Sequence, residues 1–370
     1  MIAVNLKVSN YRNIEKAEIE LSPGMNVLFG DNGQGKTNLL EALSMFALGR
    51  SFRGAKDKEL LRYGAESASL ELEVSDGEDD HSSKKLSVKY NADGRRVCRK
   101  NGVCVRSLSE FVGNFRVVLF ASPQLSVVRD SGAARRRFLD SAISQLKPVY
   151  LERLTKMNRL LLQRNKLLKQ IAENPSAAAL KATIEPWTLQ FAAESVFISQ
   201  ARFRYVQKLL PSAAAVVRDM SGGSEVLTLE YPEPKTHFEL FEAMMAKVDR
   251  EIMAGVTLYG AQREDMDIRI NGRDARTFAS QGQQRSAALA LKLAEGELSE
   301  GICGSPPVYL LDDVLSELDD KRRRYVLSNI ARHQVLLTVC DNNIMGDKIY
   351  KVDSGVFTLS DEYGIIEELL

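Results

Sequence analysis

The sequence predicts an α/β fold: a mixed sheet with an antiparallel β subdomain, plus an inserted, mainly helical second lobe. Three observations carry this expectation. The first third alternates apolar and polar residues at the period of two that half-buried strands require. From about Asp130 the spacing becomes helical with little glycine, and near the C-terminus short apolar strands return, separated by a helix. The expected division is 1–121 with 255–370 for the first lobe and 122–254 for the helical one.

In chain order, "IAVNLKV", "AEIEL", "SLELEV" and "KLSVKY" read as half-exposed antiparallel strands, and the Asn-Gly of "KNGV" supplies a hairpin turn. Among them "MNVLF" is a continuous apolar run followed by glycines and the helical "TNLLEALSMFAL", that is, a buried strand, a loop and a helix. "RRRFLDSAISQL", "PVYLERLTKMNRLLLQRNKLLKQIAEN" and "SAAALKATIEPWTLQFAAESVFISQARFRYVQKLL" have helical spacing. Leu154, Met157, Leu161, Leu168 and Ile171 recur at steps that suit one face of an antiparallel helical hairpin. "EVLTLEY" and "DIRINGRDARTF" are strands again. "SQGQQRSAALALKLAE" starts small and polar, then becomes an Ala/Leu helix that Ser280 can cap. "PPVYLLDD", "QVLLTV" and "GVFTLS" close the chain as strands around the helix "DKRRRYVLSNIARH".

With 370 residues the chain can form two or three domain-sized units, or one long globular module with an insertion. Hydrophobic content of 44% and charged content of 27% exclude wholesale disorder. No apolar run approaches the roughly 20 residues that span a bilayer, and the N-terminus lacks a signal-peptide pattern, so a cytoplasmic protein without membrane association is expected. Cys98, Cys104, Cys303 and Cys340 form no CxxC pair, and the histidines are His81, His237 and His333, which argues against a zinc site or a disulfide framework. Basic and acidic residues balance, 50 against 49, so a polyanion must be met by local patches. One such patch follows the acidic run 76–80: Lys84, Lys85, Lys89, Arg95, Arg96, Arg99, Lys100 and Arg106 against the single acid Asp93.

"GDNGQGKT", spanning Gly30, Asp31, Asn32, Gly33, Gln34, Gly35, Lys36 and Thr37, matches G-x-x-x-x-G-K-[ST] between a predicted strand and a predicted helix. Its glycines let successive backbone N–H groups point at phosphate oxygens, and the helix N-terminus adds its positive dipole end. Lys36 then reaches the β- and γ-phosphates of ATP, and the Thr37 hydroxyl ligates Mg²⁺. "VYLLDD" is an apolar strand ending in two carboxylates at a place where α/β sheets bind ligands. Asp312 can hold the Mg²⁺ shell while Asp313 faces the γ-phosphate and orients or deprotonates a water. The bland alternative, a capped helix start or a solvated turn, weakens once the P-loop is present, but stays open for Ser316, Glu317 and Asp319.

A P-loop near the N-terminus, an S-x-G-x-Q run opening a helix and "LLDDVLSELD", together with "NYRNI", "GRSFRG", "RRRFLD" and "TLYGAQREDMDI", resemble the RecF family of ABC-type, SMC-like DNA-repair ATPases. These segments run from Asn10 to Asp319. The resemblance implies an ABC-type ATPase head built from both ends of the chain. It implies Asp312 as the Walker B magnesium ligand, and Asp313 where most such ATPases have glutamate. Gln124 in "FASPQL" falls at the γ-phosphate-sensing, magnesium-contacting Q-loop glutamine; Ser280, Gly282 and Gln283 match the signature, and Asp319 the D-loop. Two departures stand out. "TVCD" at Thr338 to Asp341 lacks the usual switch histidine, and Ala261-Gln262 replaces an expected Pro and His, so those positions receive no role.

The family mechanism implies that two copies close over two ATP molecules, each held between one P-loop and the partner's signature, and that hydrolysis loosens this dimer. Asp313 is one methylene shorter than glutamate, so slow turnover is expected. The resemblance also implies sequence-independent binding to double-stranded DNA or to single-strand/double-strand junctions at gaps, with RecR and RecO as partners. Candidate DNA surfaces are the 84–106 patch, the run Arg135, Arg136 and Arg137, and the helix carrying Arg153, Lys156, Arg159, Arg164, Lys166 and Lys169; for each, a solvated helix or sheet face is the alternative. The rival functions are a chromosome-associated clamp that binds ATP without useful hydrolysis, the nucleotide-binding subunit of a transporter, and a P-loop kinase. The long insertion speaks against the transporter subunit, and "SQGQQ" against the kinase.

Overall fold

The computed structural model describes residues 1–75, 83–174, 182–340 and 346–360, with only the backbone of residues 123 and 124. The acidic run 76–80, His81 and Asp341 therefore lie outside the described residues.

The N-terminal strands are β1 (Ile2–Tyr11), β2 (Ile14–Glu20) and β3 (Met25–Phe29), followed by helix α1 (Lys36–Leu48). Then come β4 (Ser67–Ser75), β5 (Lys84–Asn91), β6 (Arg96–Lys100), β7 (Val103–Cys104), the one-turn helix α2 (Leu108–Phe111) and β8 (Val117–Ala121). The alternation seen in sequence is realised in an antiparallel sheet of order β2-β1-β4-β5-β6-β7, in which Leu6, Val8, Leu70, Leu72, Leu86 and Val88 are buried. The β6–β7 turn needs positive φ at both central residues, and Asn101 and Gly102 adopt 50° and 80°.

The helical stretch comprises α3 (Ser122–Leu125), α4 (Gly132–Leu146), α5 (Pro148–Glu173) and α6 (Ile184–Met220). Next come β9 (Leu227–Glu230), α7 (His237–Met245) and α8 (Val248–Ala254). Helices α5 and α6 are antiparallel: Arg164 reaches Thr188, whereas Arg153, nearer the start of α5, reaches Glu194 further along α6. Met157, Leu168 and Ile171 are buried in that hairpin, as expected, together with Leu160 and Leu167.

The chain returns through β10 (Asp267–Ile270), β11 (Arg273–Asp274), α9 (Ala275–Phe278) and α10 (Gln281–Cys303). It closes with β12 (Val308–Asp312), α11 (Asp320–Ile330), β13 (Val335–Val339), β14 (Lys348–Asp353) and β15 (Val356–Leu359). The second large sheet has the order β15-β14-β3-β13-β12-β8, parallel except for β15, while β9, β10 and β11 form a small antiparallel sheet. Continuous apolar runs such as "MNVLF" and "VLLTV" suit central strands of this sheet, where both faces are covered. One hydrophobic core joins the antiparallel sheet to α1; a second runs from the other face of the parallel sheet, through α10 and α4, into α5 and α6.

Candidate functional site

β3 ends at Phe29, and the chain turns through Gly30, Gly33 and Gly35, with φ of 147°, 84° and 118°, before α1 begins at Lys36. Close packing adds to the conformational demand. A Cβ on Gly30 would run into the Val352 carbonyl of β14, and one on Gly35 would lie 2.9 Å from Asn13 Oδ1. Asn13 donates to the Gln34 carbonyl at 3.1 Å and accepts from Asn38 Nδ2 at 2.8 Å. On the opposite side the Ser354 and Gly355 N–H groups donate to Gln34 Oε1 and Gln34 O, both at 2.7 Å. The Lys36 ammonium is folded into this ring, donating to the Gly30 and Asp31 carbonyls, with Cys340 Sγ at 3.9 Å. Helix α1 has no side-chain cap, so its first-turn N–H groups remain to be satisfied by an anion or water.

Thr37 Oγ1 donates to Asp312 Oδ1 at 2.7 Å, joining the start of α1 to the end of β12. The neighbouring strand contributes Thr338, directly across from Asp312: its hydroxyl lies 3.2 Å from Asp312 Oδ1 and accepts the Asp313 N–H at 2.9 Å. Asp313 itself has a left-handed backbone, φ 53°, and its carbonyl accepts Ser316 Oγ at 2.8 Å. Burial holds the Asp312 carboxyl above the ordinary aspartate range; hydrogen bonds from Thr37 and Thr338 oppose this, the Asp313 charge adds to it, and Arg53 opposes it. Nearby, Arg12 pairs with both oxygens of the buried Glu41 at 2.9 Å, Ser51 Oγ donates to the same carboxylate at 2.5 Å, and Arg53 donates to Asn38 Oδ1 at 2.9 Å.

A second cluster surrounds the start of α10. Ser280 is its N-cap: Ser280 Oγ accepts the Gln283 N–H at 3.2 Å, and Gln283 Oε1 accepts the Ser280 N–H at 2.8 Å. Gln284 Nε2 donates to the carbonyls of Ala275, Arg276 and Ala279 at 3.1 to 3.2 Å, pinning α9 onto this turn. Asp319 caps α11 by accepting the Arg322 N–H at 2.9 Å, and that bond, ahead of the Arg322 charge, holds its carboxyl below the usual range.

Gly30 to Thr37, Asp312 and Asp313 thus share one location, and Ser280, Gly282, Gln283 and Asp319 share another. Gln124 sits on α3, which leaves the end of β8 next to Asp312, but its side chain lies outside the described residues. Sequence reasoning gave no role to Asn13, Arg53, Thr338 or Arg322. The first belongs to the quoted "NYRNI" and the second to "GRSFRG", yet nothing local reveals that these segments meet α1. Within the segment that lacks a switch histidine, the Thr338 hydroxyl contacts Asp312 and the Asp313 N–H.

The basic surfaces need correction. Arg135 is buried and bidentate to Asp265 at 2.8 and 2.6 Å, and Arg136 donates to the Glu264 carbonyl at 2.8 Å. Arg153 and Lys156 share Glu194 at 3.0 and 2.6 Å. Arg164 is fully buried, bonded to Glu251 at 2.5 Å, Thr257 at 2.8 Å and Thr188 at 3.0 Å. Apart from Arg136, which meets a backbone carbonyl, these cations meet acids that helical periodicity could not reveal. By contrast Lys85 and Lys89 on β5 and Arg99 on β6 point away from the buried Leu86, Val88 and Tyr90, and have no ion-pair partner among the described residues. Arg137, Arg159, Lys166 and Lys169 are also exposed.

The described residues contain no cluster of three His, Cys, Asp or Glu side chains able to cage a metal, and no described helix is long and apolar enough to cross a membrane.

Residues 2–359 match the family described as RecF/RecN/SMC N terminal domain. The chain is 36% identical over 361 residues to a "DNA replication and repair protein RecF" of Lachnoclostridium phytofermentans, covering 96% of this chain and 99% of that one. It is 38% identical over 368 residues to its counterpart in an Exiguobacterium species, covering 95% and 97%. Among solved structures it is similar to "the recombination mediator protein RecF-ATPrS in RecFOR pathway", with a TM-score of 0.90 and 33% identity over 97% of this chain and 98% of that one. A Pyrococcus furiosus Smc head domain shares the fold alone, with a TM-score of 0.57 at 17% identity over 97% and 95% of the two chains.

Proposed function

The chain belongs to the RecF/RecN/SMC N-terminal domain family of SMC-like ATPases, among the RecF proteins of DNA replication and repair, and from that premise we propose that it binds ATP and closes as a head-to-head dimer on DNA. The observation that carries this reading is the 2.7 Å contact between Thr37 and Asp312, which sets a P-loop hydroxyl against a strand-end carboxylate where the first turn of α1 opens. The likeness to RecF structures solved with ATP and "ATPrS" supports ATP as the nucleotide.

The glycine loop and the α1 N-terminus take the phosphates, and Lys36 exchanges its two carbonyl acceptors for phosphate oxygens. Thr37 and Asp312 form a hard, all-oxygen pair that would hold Mg²⁺, and the ion would supply neutralisation of developing charge. Asp313 is the base that orients a water against the γ-phosphate, giving ADP and phosphate slowly, with Gln124 as the sensor. Ser280, Gly282 and Gln283 present their helix N-terminus to the ATP of a second copy, and Asp319 lies beside them. Release of phosphate removes what the signature holds, so ADP loosens the dimer. The lobe division at 121–122 and 254–255 belongs to the same proposal.

For DNA, the outer face of β5 and β6 with Lys85, Lys89 and Arg99 is the favoured surface, since these cations form no ion pair among the described residues, although Glu73 of β4 lies across from Lys85. Binding there runs through phosphates, to a duplex or a single-strand/double-strand junction without sequence preference, and serves recombinase loading at gaps with RecR and RecO. The alternative is an ATP-binding clamp without useful hydrolysis.

Light scattering with ATP and Mg²⁺ tests the dimer. Wild type is expected to dimerise, and Lys36→Met and Ser280→Arg to stay monomeric; a wild type that remains monomeric with nucleotide and DNA sinks the mechanism. Phosphate release with and without duplex separates the ATPase from the clamp.

A further inference from the structure

Two arginines tie the signature turn to the post-Walker-B loop, and Arg322 makes most of the contacts. Its Nη2 donates to the Gly282 carbonyl at 3.1 Å and its Nε to Ser286 Oγ at 2.9 Å, both on the first turns of α10. Its Nη1 pairs with the Asp319 carboxylate, which also accepts the Arg322 N–H at 2.9 Å. Arg285, from α10, makes a second tie in the opposite direction, donating to the Glu317 carbonyl at 2.9 Å. The loop 313–319 is thus fastened to the signature turn at Glu317 and Asp319, and it begins at Asp313, whose left-handed backbone is held by Thr338. Gly282 fits the same arrangement, because a Cβ there would lie 3.2 Å from Arg322 Nη2.

We propose that Arg322 is a positioning residue that makes the signature turn and the 313–319 loop one rigid body, so that the surface offered to a second copy's phosphate is set by the loop facing the head's own nucleotide. The chemistry requires a guanidinium. Three acceptors on two elements lie around one planar group, a geometry that a fork of N–H donors satisfies at once and a single ammonium does not. Among the described residues Arg322 makes no contact with the P-loop, so its loss leaves the phosphate-binding turn 30–37 intact. This inference rests on the dimer reading above for its consequence, but not for its existence.

Amide hydrogen exchange on the full chain without nucleotide tests the clamp in the monomer, in wild type, Arg322→Ala and Arg322→Lys. The expected result for Arg322→Ala is exchange at least about tenfold faster over both 281–286 and 313–319, with residues 30–48 unchanged and affinity for a fluorescent ATP analogue within about twofold of wild type. Arg322→Lys is expected to resemble Arg322→Ala. Faster exchange confined to the start of α11, loss of ATP affinity in parallel, or full rescue by lysine overturns the proposal. Ser286→Ala, which removes one acceptor and keeps the arginine, is expected to loosen the same two segments by a smaller factor. In light scattering with ATP and Mg²⁺, Arg322→Ala should weaken a wild-type dimer at least about tenfold, and a dimer as tight as wild type also overturns it. A wild type that never dimerises removes the function proposed above, while the exchange result still decides the clamp.

Discussion

The two halves of the proposed nucleotide machinery are built differently. The P-loop half is gripped by strands from both ends of the chain, and its reactive groups are occupied with one another: Lys36 with loop carbonyls, Thr37 with Asp312. The signature half is a helix start whose cap is closed on itself through Ser280 and Gln283, fastened to the body by arginines 285 and 322. In the proposed mechanism the first half receives a ligand by exchanging internal bonds for external ones. The second keeps its shape and offers a preformed surface. Binding at the P-loop should therefore tolerate loss of the signature, whereas dimerisation should need both.

Variants that separate the halves test this contrast. Asp313→Asn has the largest expected effect, a fall in ATP turnover of about 10²- to 10⁴-fold with ATP binding and dimerisation retained, as phosphate release and light scattering would report. Full activity would move the base elsewhere. Lys36→Met should weaken ATP binding about 100-fold, measured by titration of a fluorescent analogue, and abolish the dimer with it. Ser280→Arg should leave that titration within about twofold of wild type while weakening the dimer by about tenfold or more; a matching loss of ATP affinity would show that the halves are not independent. Removing the three cations proposed to contact phosphates, with Lys85→Ala, Lys89→Ala and Arg99→Ala, should lower the slope of log affinity for duplex against log salt by about 2 to 3, without altering the dimer.

The smallest expected effect concerns pH and belongs to the P-loop half alone. Burial raises the folded-state pKa of Asp312, so its carboxyl takes up a proton at higher pH than in the unfolded chain. Ionising it in the fold costs stability, and that loss grows as pH rises from the ordinary aspartate range through the raised value. Lowering the pH through the raised value neutralises the oxygen that would face Mg²⁺. Affinity for magnesium-ATP should accordingly begin to fall at a higher pH than an exposed aspartate would dictate, and magnesium-free ATP binding should not follow it.

Both halves were legible in sequence because their motifs are local: glycine spacing, a strand-to-helix junction, and a small polar cap before an apolar helix. The fold was legible for the same reason, down to the Asn-Gly turn at Asn101. The supports were not. Asn13, Arg53 and Thr338 come from three separate segments, and only tertiary structure brings them to Asn38 and the aspartates. Charge was the least legible property. Arg135 and Arg164 look in sequence like Arg99 and Lys166, yet Asp265 and Glu251, about 90 residues or more further on, take the first two out of solvent.

The position of β3 bears on how the molecule is made. This strand emerges early in synthesis, but both of its hydrogen-bonding neighbours, β13 and β14, are near the end of the chain, and the turn at Ser354 and Gly355 completes the ring around Gln34. Until Val335 and the residues after it leave the ribosome, "MNVLF" has apolar faces and two open edges. A nascent chain is thus expected to wait for its last strands before it can grip a phosphate, so a truncated product would be left without a working P-loop to compete with finished copies.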